Sequence, residues 1–325
     1  MELISRLTHA SIDICTKCQL KCISCSTSKG IIRNGFVKEG WMTLDLFIHI
    51  IELNPYIRHI ELSNWGEIFL NPDIIGIMQY AFRRGISLYC SNGTNFNYVP
   101  IEVLEGLVKY QFKCLNISID GVTQSVYSQY RKNGNIENVL SNIRMLNHFK
   151  QLYNCSFPKL SWQFIIFGHN EHEILEARTL CNELNMVFNP RLNHSSFSPI
   201  RDAKMVKENA GIKYATRVEY KRQSGSEYKQ PCYQCLFSPQ VNWNGDVLGC
   251  CVNKWRGLGN ATHNSLSDIM NSHIYKLMID FLFGKCSVSK DIPCFYCPNA
   301  SKVKEHPLSS EGLNIYSKYV PIALR

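Results

Sequence analysis

Fifteen cysteines in 325 residues are the first chemistry this chain offers, and they are unevenly spread. Four fall in one run, Cys15-Thr-Lys-Cys18-Gln-Leu-Lys-Cys22-Ile-Ser-Cys25, and seven lie between Cys232 and Cys297. Thiols packed this closely can wrap one inorganic centre. A zinc ribbon pairs its ligands across roughly 12–20 residues, and the first run is too cramped for that. An iron–sulfur cluster tolerates a tight loop. Cys18, Cys22 and Cys25 have the spacing C-x3-C-x2-C, and three ligands on a four-iron cube leave one iron open to bind something else. Cys15 reads either as a fourth ligand or as a bystander at a strand end. Cys90, Cys114, Cys155 and Cys181 stand alone in apolar surroundings and read as small core hydrophobes.

In the second group, Cys232 and Cys235 form one C-x2-C and Cys294 and Cys297 another. Cys235 and Cys294 stand much further apart than the roughly 15–20 residues of a zinc ribbon. Cys250 and Cys251 lie between them, at the end of an apolar run.

The elements that must position these thiols show in the periodicity. Short β-like runs recur at Ser11–Cys15, Ile57–Ser63, Ser87–Ser91, Leu115–Asp120, Leu160–Phe167 and Phe188–Leu192. Between them lie helical stripes: Ile74, Ile77, Met78, Ala81 and Phe82; Ile136, Val139, Leu140, Ile143 and Leu146; Ile174, Ala177, Cys181 and Leu184. Strands alternating with helices predict parallel β/α units, too few to close a standard eight-stranded barrel. The expected fold is therefore α/β, a partial (β/α)6 TIM-type barrel, with chemistry at the C-terminal strand ends. A small cysteine-rich α+β domain follows. Its centre is a hairpin at Asn244-Gly245 within Phe237–Gly249, and a helix is expected over Leu266–Phe283. The expected boundaries are 1–200 for the barrel, 201–230 for a helix and linker, 231–300 for the second domain and 301–325 for a tail.

Composition limits the function classes. Hydrophobic residues make up 45% and charged residues 19%, enough apolar surface for a sizeable core and unlike a disordered chain. No run approaches a membrane span or a signal peptide, so the expected location is the cytoplasm, where cysteines serve metal, cluster or redox roles. Net charge is +9, and residues 201–325 carry 17 basic against 10 acidic residues, a difference of +7. No long basic run or aromatic-interleaved basic stripe marks a nucleic-acid surface, so neither nucleic acid nor membrane is an expected partner.

Cys18-Gln-Leu-Lys-Cys22-Ile-Ser-Cys25 resembles the signature of radical S-adenosylmethionine (SAM) enzymes. Asn64-Trp65-Gly66-Glu67 resembles the family's Gly-Gly-Glu-Pro segment, which holds the SAM amino group, and keeps its Gly66-Glu67 core. Ser91-Asn92-Gly93-Thr94 resembles the segment near the SAM ribose; Ser118-Ile119-Asp120-Gly121 and Gln163–Glu173, with Asn170 and Glu173, resemble the next two strand ends. One departure is Ser24, where the family usually places a large apolar residue against adenine. The resemblance implies a cluster held by Cys18, Cys22 and Cys25, with SAM contacted by Gly66, Glu67, Ser91, Asn92, Ser118 and Asp120.

The order Cys232, Gly245-x4-Cys250, Cys294-x2-Cys297 resembles the twitch form of the SPASM domain, which implies an auxiliary [4Fe-4S] cluster on Cys232, Cys250, Cys294 and Cys297. Cys235, Cys251 and Cys286 are then left over. The implied activity is reductive cleavage of SAM to a 5′-deoxyadenosyl radical that takes hydrogen from a substrate C–H bond. Expected outcomes are oxidation or epimerisation, the latter with Cys251 as a candidate hydrogen donor and Cys235 as another, and the expected protein partner is a flavodoxin- or ferredoxin-type electron donor. The substrate expected first is a carbohydrate-like natural-product intermediate, since Cys18 lies near Met1 and leaves little room for a leader-binding module. A ribosomal peptide is the alternative. A non-catalytic zinc or iron–sulfur protein is the reading from another class.

Overall fold

A computed structural model describes residues 7–228, 231–309 and 312. In chain order the strands are β1 (His9–Ile12), β2 (His59–Glu61), β3 (Ser87–Thr94), β4 (Cys114–Ser118), β5 (Lys159–Ile166), β6 (Met186–Leu192), β7 (Gln240–Val241) and β8 (Val247–Gly249). They are distributed over two compact units whose residues interleave along the chain. The first gathers residues 7–17, 30–88 and 231–309; the second gathers 18–29 and 89–228.

In the first unit β1 runs parallel to β2 and to β7, with Ser11 opposite both Glu61 and Gln240. β7 turns back antiparallel into β8 through Asn244-Gly245, the hairpin the sequence predicts. β3 starts here, where Ser87 N donates to Arg58 O just ahead of β2. In the second unit the rest of β3, β4, β5 and β6 lie side by side and parallel. The strand–helix alternation produces this arrangement. A parallel strand must be followed by a crossover, and each crossover helix buries one apolar stripe.

The helix Ile74–Arg83 buries Ile74, Ile77, Met78 and Ala81; Phe82, at the edge of the expected stripe, is exposed instead. Asn135 caps Ile136–Leu152 by accepting from Glu137 N and Asn138 N, and this helix buries its whole expected stripe. Cys90, Cys114 and Cys181 are core residues, whereas Cys155 is only half-buried because it follows a helix end and Asn154 turns the chain there with φ 46°.

The expected helix over Leu266–Phe283 is two helices, Leu266–Asn271 and His273–Leu282. Ser272 is extended (φ −62°, ψ 155°), and its side chain accepts from Tyr275 N to start the second helix. A hydroxyl cap competes with continuation of a helix, which periodicity alone does not register. Residues 201–228 hold two helices, Ala203–Ala210 and Arg217–Ser224, each ending on a left-handed glycine. Most of the expected tail lies outside the described residues.

Candidate functional site

The first cysteine run is divided by the fold. Cys15 belongs to the first unit. It forms an isolated antiparallel bridge with Trp41 and is fully buried, with its thiol directed to Lys17 O at 3.8 Å. Burial pushes that thiol up to about 12. Cys18, Cys22 and Cys25 belong to the second unit, where a short loop brings them together. Leu20 and Cys22 are buried with Tyr130 and Phe167, and Cys18, Ile23, Cys25, Ile165 and Phe197 pack around them. Cys25 N donates to Cys22 O at 3.2 Å, and Lys21 N donates to Lys132 O at 2.9 Å, which pins the loop on both sides of Cys22.

Polar groups face two of the three sulfurs. Asn95 Nδ2 donates to Cys18 Sγ at 3.6 Å, and Arg131 Nη1 to Cys22 Sγ at 3.7 Å. Arg131 Nε also donates to Asp120 Oδ2 at 2.6 Å, while Asp120 Oδ1 accepts from Ile165 N at 2.7 Å. Both Asp120 oxygens are thus engaged by the protein, and the carboxylate acts by holding Arg131. Burial pushes the Cys22 thiol up, opposed by the Arg131 charge. Arg131 is a group that the sequence offers as able to grip a carboxylate through its planar fork but that reads more often as a surface residue, and so it stands outside the expected site. A lone arginine in a polar stretch has no periodic signal linking it to a strand end eleven residues earlier.

The remaining strand-end residues are shaped by close approach. In the first unit Glu67 N donates to Lys17 O at 2.8 Å, next in the chain to Cys18. A Cβ on Gly66 would stand 2.2 Å from Cys15 O and 2.7 Å from Lys17 O, so only glycine lets the two segments pass. The Glu67 side chain is buried and caps the turn Ile68–Leu70 by accepting from Phe69 N. In the second unit β3 is irregular between Cys90 and Thr94, which carries Ser91, Asn92 and Gly93 out of regular pairing. Gly93 has φ +114°, and a Cβ there would meet Ser118 Oγ at 2.4 Å. Ser91 O accepts from Asn116 Nδ2, and Ser118 Oγ accepts from Gln163 Nε2. Ser91, Asn92, Ser118 and Asp120 therefore share the second unit with the cysteine loop; Gly66 and Glu67 lie in the first.

The second group of thiols lines one cavity of the first unit. Cys232, Cys235, Cys250, Cys294 and Cys297 are joined there by Val252, Trp255, Met278, Leu282 and Pro293, so the walls are apolar. The turn Pro231–Tyr233, the helix Gln234–Phe237, the end of β8 and the turn Pro293–Tyr296 deliver the five sulfurs. Cys235, left over in the sequence, is one of them, and its hydrogen bond to Cys250 pulls the Cys250 thiol down to about 7. Burial, reinforced by neighbouring thiols, pushes Cys232 and Cys294 far up. Thiols converging in an apolar cavity repel as thiolates, and a cationic centre removes that conflict. Among the described residues no three such side chains close on a single ion. The thiolates of a cube bind separate irons and do not need to. The donor set fits a cluster.

Cys251 and Cys286 do not line this cavity. Cys251 N donates to Gln234 Oε1 and its carbonyl accepts from Asn64 Nδ2, while the Cys286 thiol is directed to Leu277 O. Among the described residues no helix is long and apolar enough to cross a membrane.

The Radical SAM superfamily model matches residues 12–181, and the model of an iron–sulfur cluster-binding domain, SPASM, matches residues 232–298. No curated protein sequence matches. Among solved structures, Streptococcus suis SuiB bound to S-adenosylmethionine is 14% identical with a TM-score of 0.62, covering 98% of this chain and 76% of that one. SuiB bound to its precursor peptide SuiA is 15% identical with the same TM-score, covering 98% and 74%. Native anSMEcpe with bound AdoMet is 16% identical with a TM-score of 0.56, covering 91% and 88%.

Proposed function

The chain belongs to the radical SAM superfamily, with SAM and [4Fe-4S] clusters as its cofactors, and on that premise we propose that it oxidises a C–H bond of its substrate. When bound, SAM and the cluster at Cys18, Cys22 and Cys25 would supply radical chemistry at a substrate C–H bond, and a cluster at Cys232, Cys250, Cys294 and Cys297 would supply one-electron acceptance. Cys18, Cys22 and Cys25 hold the first cluster. Arg131, kept in place by Asp120, sets a positive charge beside it. Gly66, Glu67, Ser91, Asn92 and Ser118 bind and orient SAM. Cys232, Cys250, Cys294 and Cys297 hold the second cluster. We place the enzyme in the cytoplasm, where thiols stay reduced.

The observation that carries oxidation over epimerisation is the cavity of five thiols. A fully ligated cluster has no open iron and suits electron transfer. The substrate reading is a carbohydrate-like intermediate. A second reading, a ribosomal peptide, is favoured by the fold shared with SuiB, which has been solved with its precursor peptide.

Product mass separates the outcomes. Reconstituted enzyme, SAM and reductant are incubated in deuterated water with aminocyclitols in one panel and peptides in another. Oxidation removes two hydrogens from the product and produces 5′-deoxyadenosine. A product carrying one solvent deuteron and no unsaturation, abolished by Cys251→Ala, overturns the oxidative reading in favour of epimerisation.

A further inference from the structure

Cys235 is the fifth thiol of a cavity whose cluster needs four. It is 2% exposed. Two hydrogen bonds lock its backbone against the end of β8. Tyr275 Oη donates to Cys235 O at 2.6 Å, and Cys251 N donates to Gln234 Oε1 at 2.9 Å, so the residue before Cys235 is held to the residue after Cys250. Gly249, with φ +79°, lets the sulfur come close, since a Cβ there would lie 3.6 Å from Cys235 Sγ. A buried thiol in an apolar wall commonly serves as a small hydrophobe. Cys235 differs, because its thiol and that of Cys250 are hydrogen-bonded to each other. Once Cys250 binds iron as a thiolate it has no proton to give, so the S–H of that bond belongs to Cys235. The amides of Val252 and Asn253 donate to the same Cys250 sulfur, and the amide of Asn299 donates to Cys297.

We propose that Cys235 is a positioning residue for the second cluster: its thiol stays off iron, donates to the sulfur of Cys250 and raises the reduction potential of the centre. The physical reason is charge. Val252, Trp255, Met278, Leu282 and Pro293 give the cavity apolar walls, which disfavour the extra negative charge of a reduced cluster. Hydrogen bonds to the ligand sulfurs offset that cost, because each donor is attracted more strongly as the sulfur gains charge. The centre then takes up one electron more readily, with no change in its ligands. The use of that gain in turnover rests on the oxidative reading above, in which oxidation of substrate releases the electron. A serine at this position keeps a donor. Alanine and valine remove it, and valine also fills the space.

The test is a redox titration of the holoenzyme, followed by electron paramagnetic resonance of the cluster signal that SAM addition leaves unchanged. Cys235→Ala and Cys235→Val are expected to make reduction about tenfold less favourable, a fall of about 59 mV for one electron, with iron content as in wild type. Cys235→Ser is expected to stay close to the wild-type midpoint. Electron–nuclear double resonance in light and deuterated water is expected to show an exchangeable proton coupled to the cluster in wild type and Cys235→Ser that the alanine and valine variants lack. Equal midpoints in wild type, Cys235→Ala and Cys235→Val overturn the inference. So does a fall in Cys235→Ser that matches Cys235→Ala, which makes the sulfur itself and not the donated hydrogen bond the cause. Loss of iron in all three variants makes Cys235 a ligand and overturns it as well. No substrate is present, so the positioning role and the oxidative reading fail separately: the expected shifts in an enzyme that yields no oxidised product refute only the latter.

Discussion

At the scale of single residues, the Asp120–Arg131 pair shows what spacing alone does not reveal. The C-x3-C-x2-C run is legible because chelation demands thiols at short range in the chain. The guanidinium facing Cys22 is not legible, because its partner is a strand end whose contact depends on tertiary packing. Asp120 is fully buried. Arg131→Met should therefore leave a buried carboxylate unpaired and cost on the order of 3–5 kcal/mol. The companion Asp120→Asn/Arg131→Met should recover much of that loss, and urea midpoints of the two variants check it. A second buried acid makes a pH prediction. Asp13 lies wholly inside the first unit, accepts from Trp65 N, and is pushed up to about 8 by burial. Its folded form holds a proton that the unfolded chain releases near pH 4, so stability present at low pH is lost as pH rises toward 8. Asp13→Asn should flatten that decline between pH 5 and 8 and be the more stable protein at pH 8. Parallel pH profiles of the two urea midpoints would sink the assignment.

At the scale of elements, two glycines separate close approach from simple turning. Gly85 has φ +65° with nothing within 4 Å of an added Cβ, so Gly85→Ala should cost only about 1 kcal/mol of backbone strain. Gly66→Ala instead drives a methyl into the backbone of residues 15–17, which cannot swing aside as a side chain can. Because residue 17 leads directly into Cys18, Gly66→Ala should also disturb the first cluster. Its iron content should fall from about eight toward about four per chain, and the spectral response to SAM should be lost, while Gly85→Ala keeps both. Long amphipathic helices and the hairpin at Asn244-Gly245 were legible because their periods and turn residues are local. The break at Ser272 was not, because the apolar positions on either side of it continue one helical stripe and only the hydroxyl cap decides. Cys235 was likewise ambiguous. Spacing puts two thiols at one end of the domain, and only the fold shows that both line the cavity.

At the scale of the molecule, the cysteines of the second group tie together stretches of the first unit that are far apart in sequence. Cys232 and Cys250 flank the β7–β8 hairpin, and Cys294 and Cys297 follow the helices Leu266–Asn271 and His273–Leu282. A centre bound by all four closes a long loop, and its binding energy becomes folding energy of that region, as in other metal-dependent domains. The helices Ile136–Leu152 and Ile174–Glu183, in the second unit, have buried stripes of their own and no thiol of that group. Removing iron with a chelator should therefore raise amide exchange across residues 232–298 strongly and leave those two helices nearly unchanged. The same contrast should separate the five thiols. Cys232→Ser, Cys250→Ser, Cys294→Ser and Cys297→Ser should each reproduce the chelated pattern, and Cys235→Ser should not, since a cube needs four ligands and the other four already converge. Uniform loss of protection over both units in Cys232→Ser, which spares the first cluster, would mean that the second cluster stabilises the chain as a whole. Loss of iron in Cys235→Ser with retention in Cys232→Ser would transfer the ligand role to Cys235.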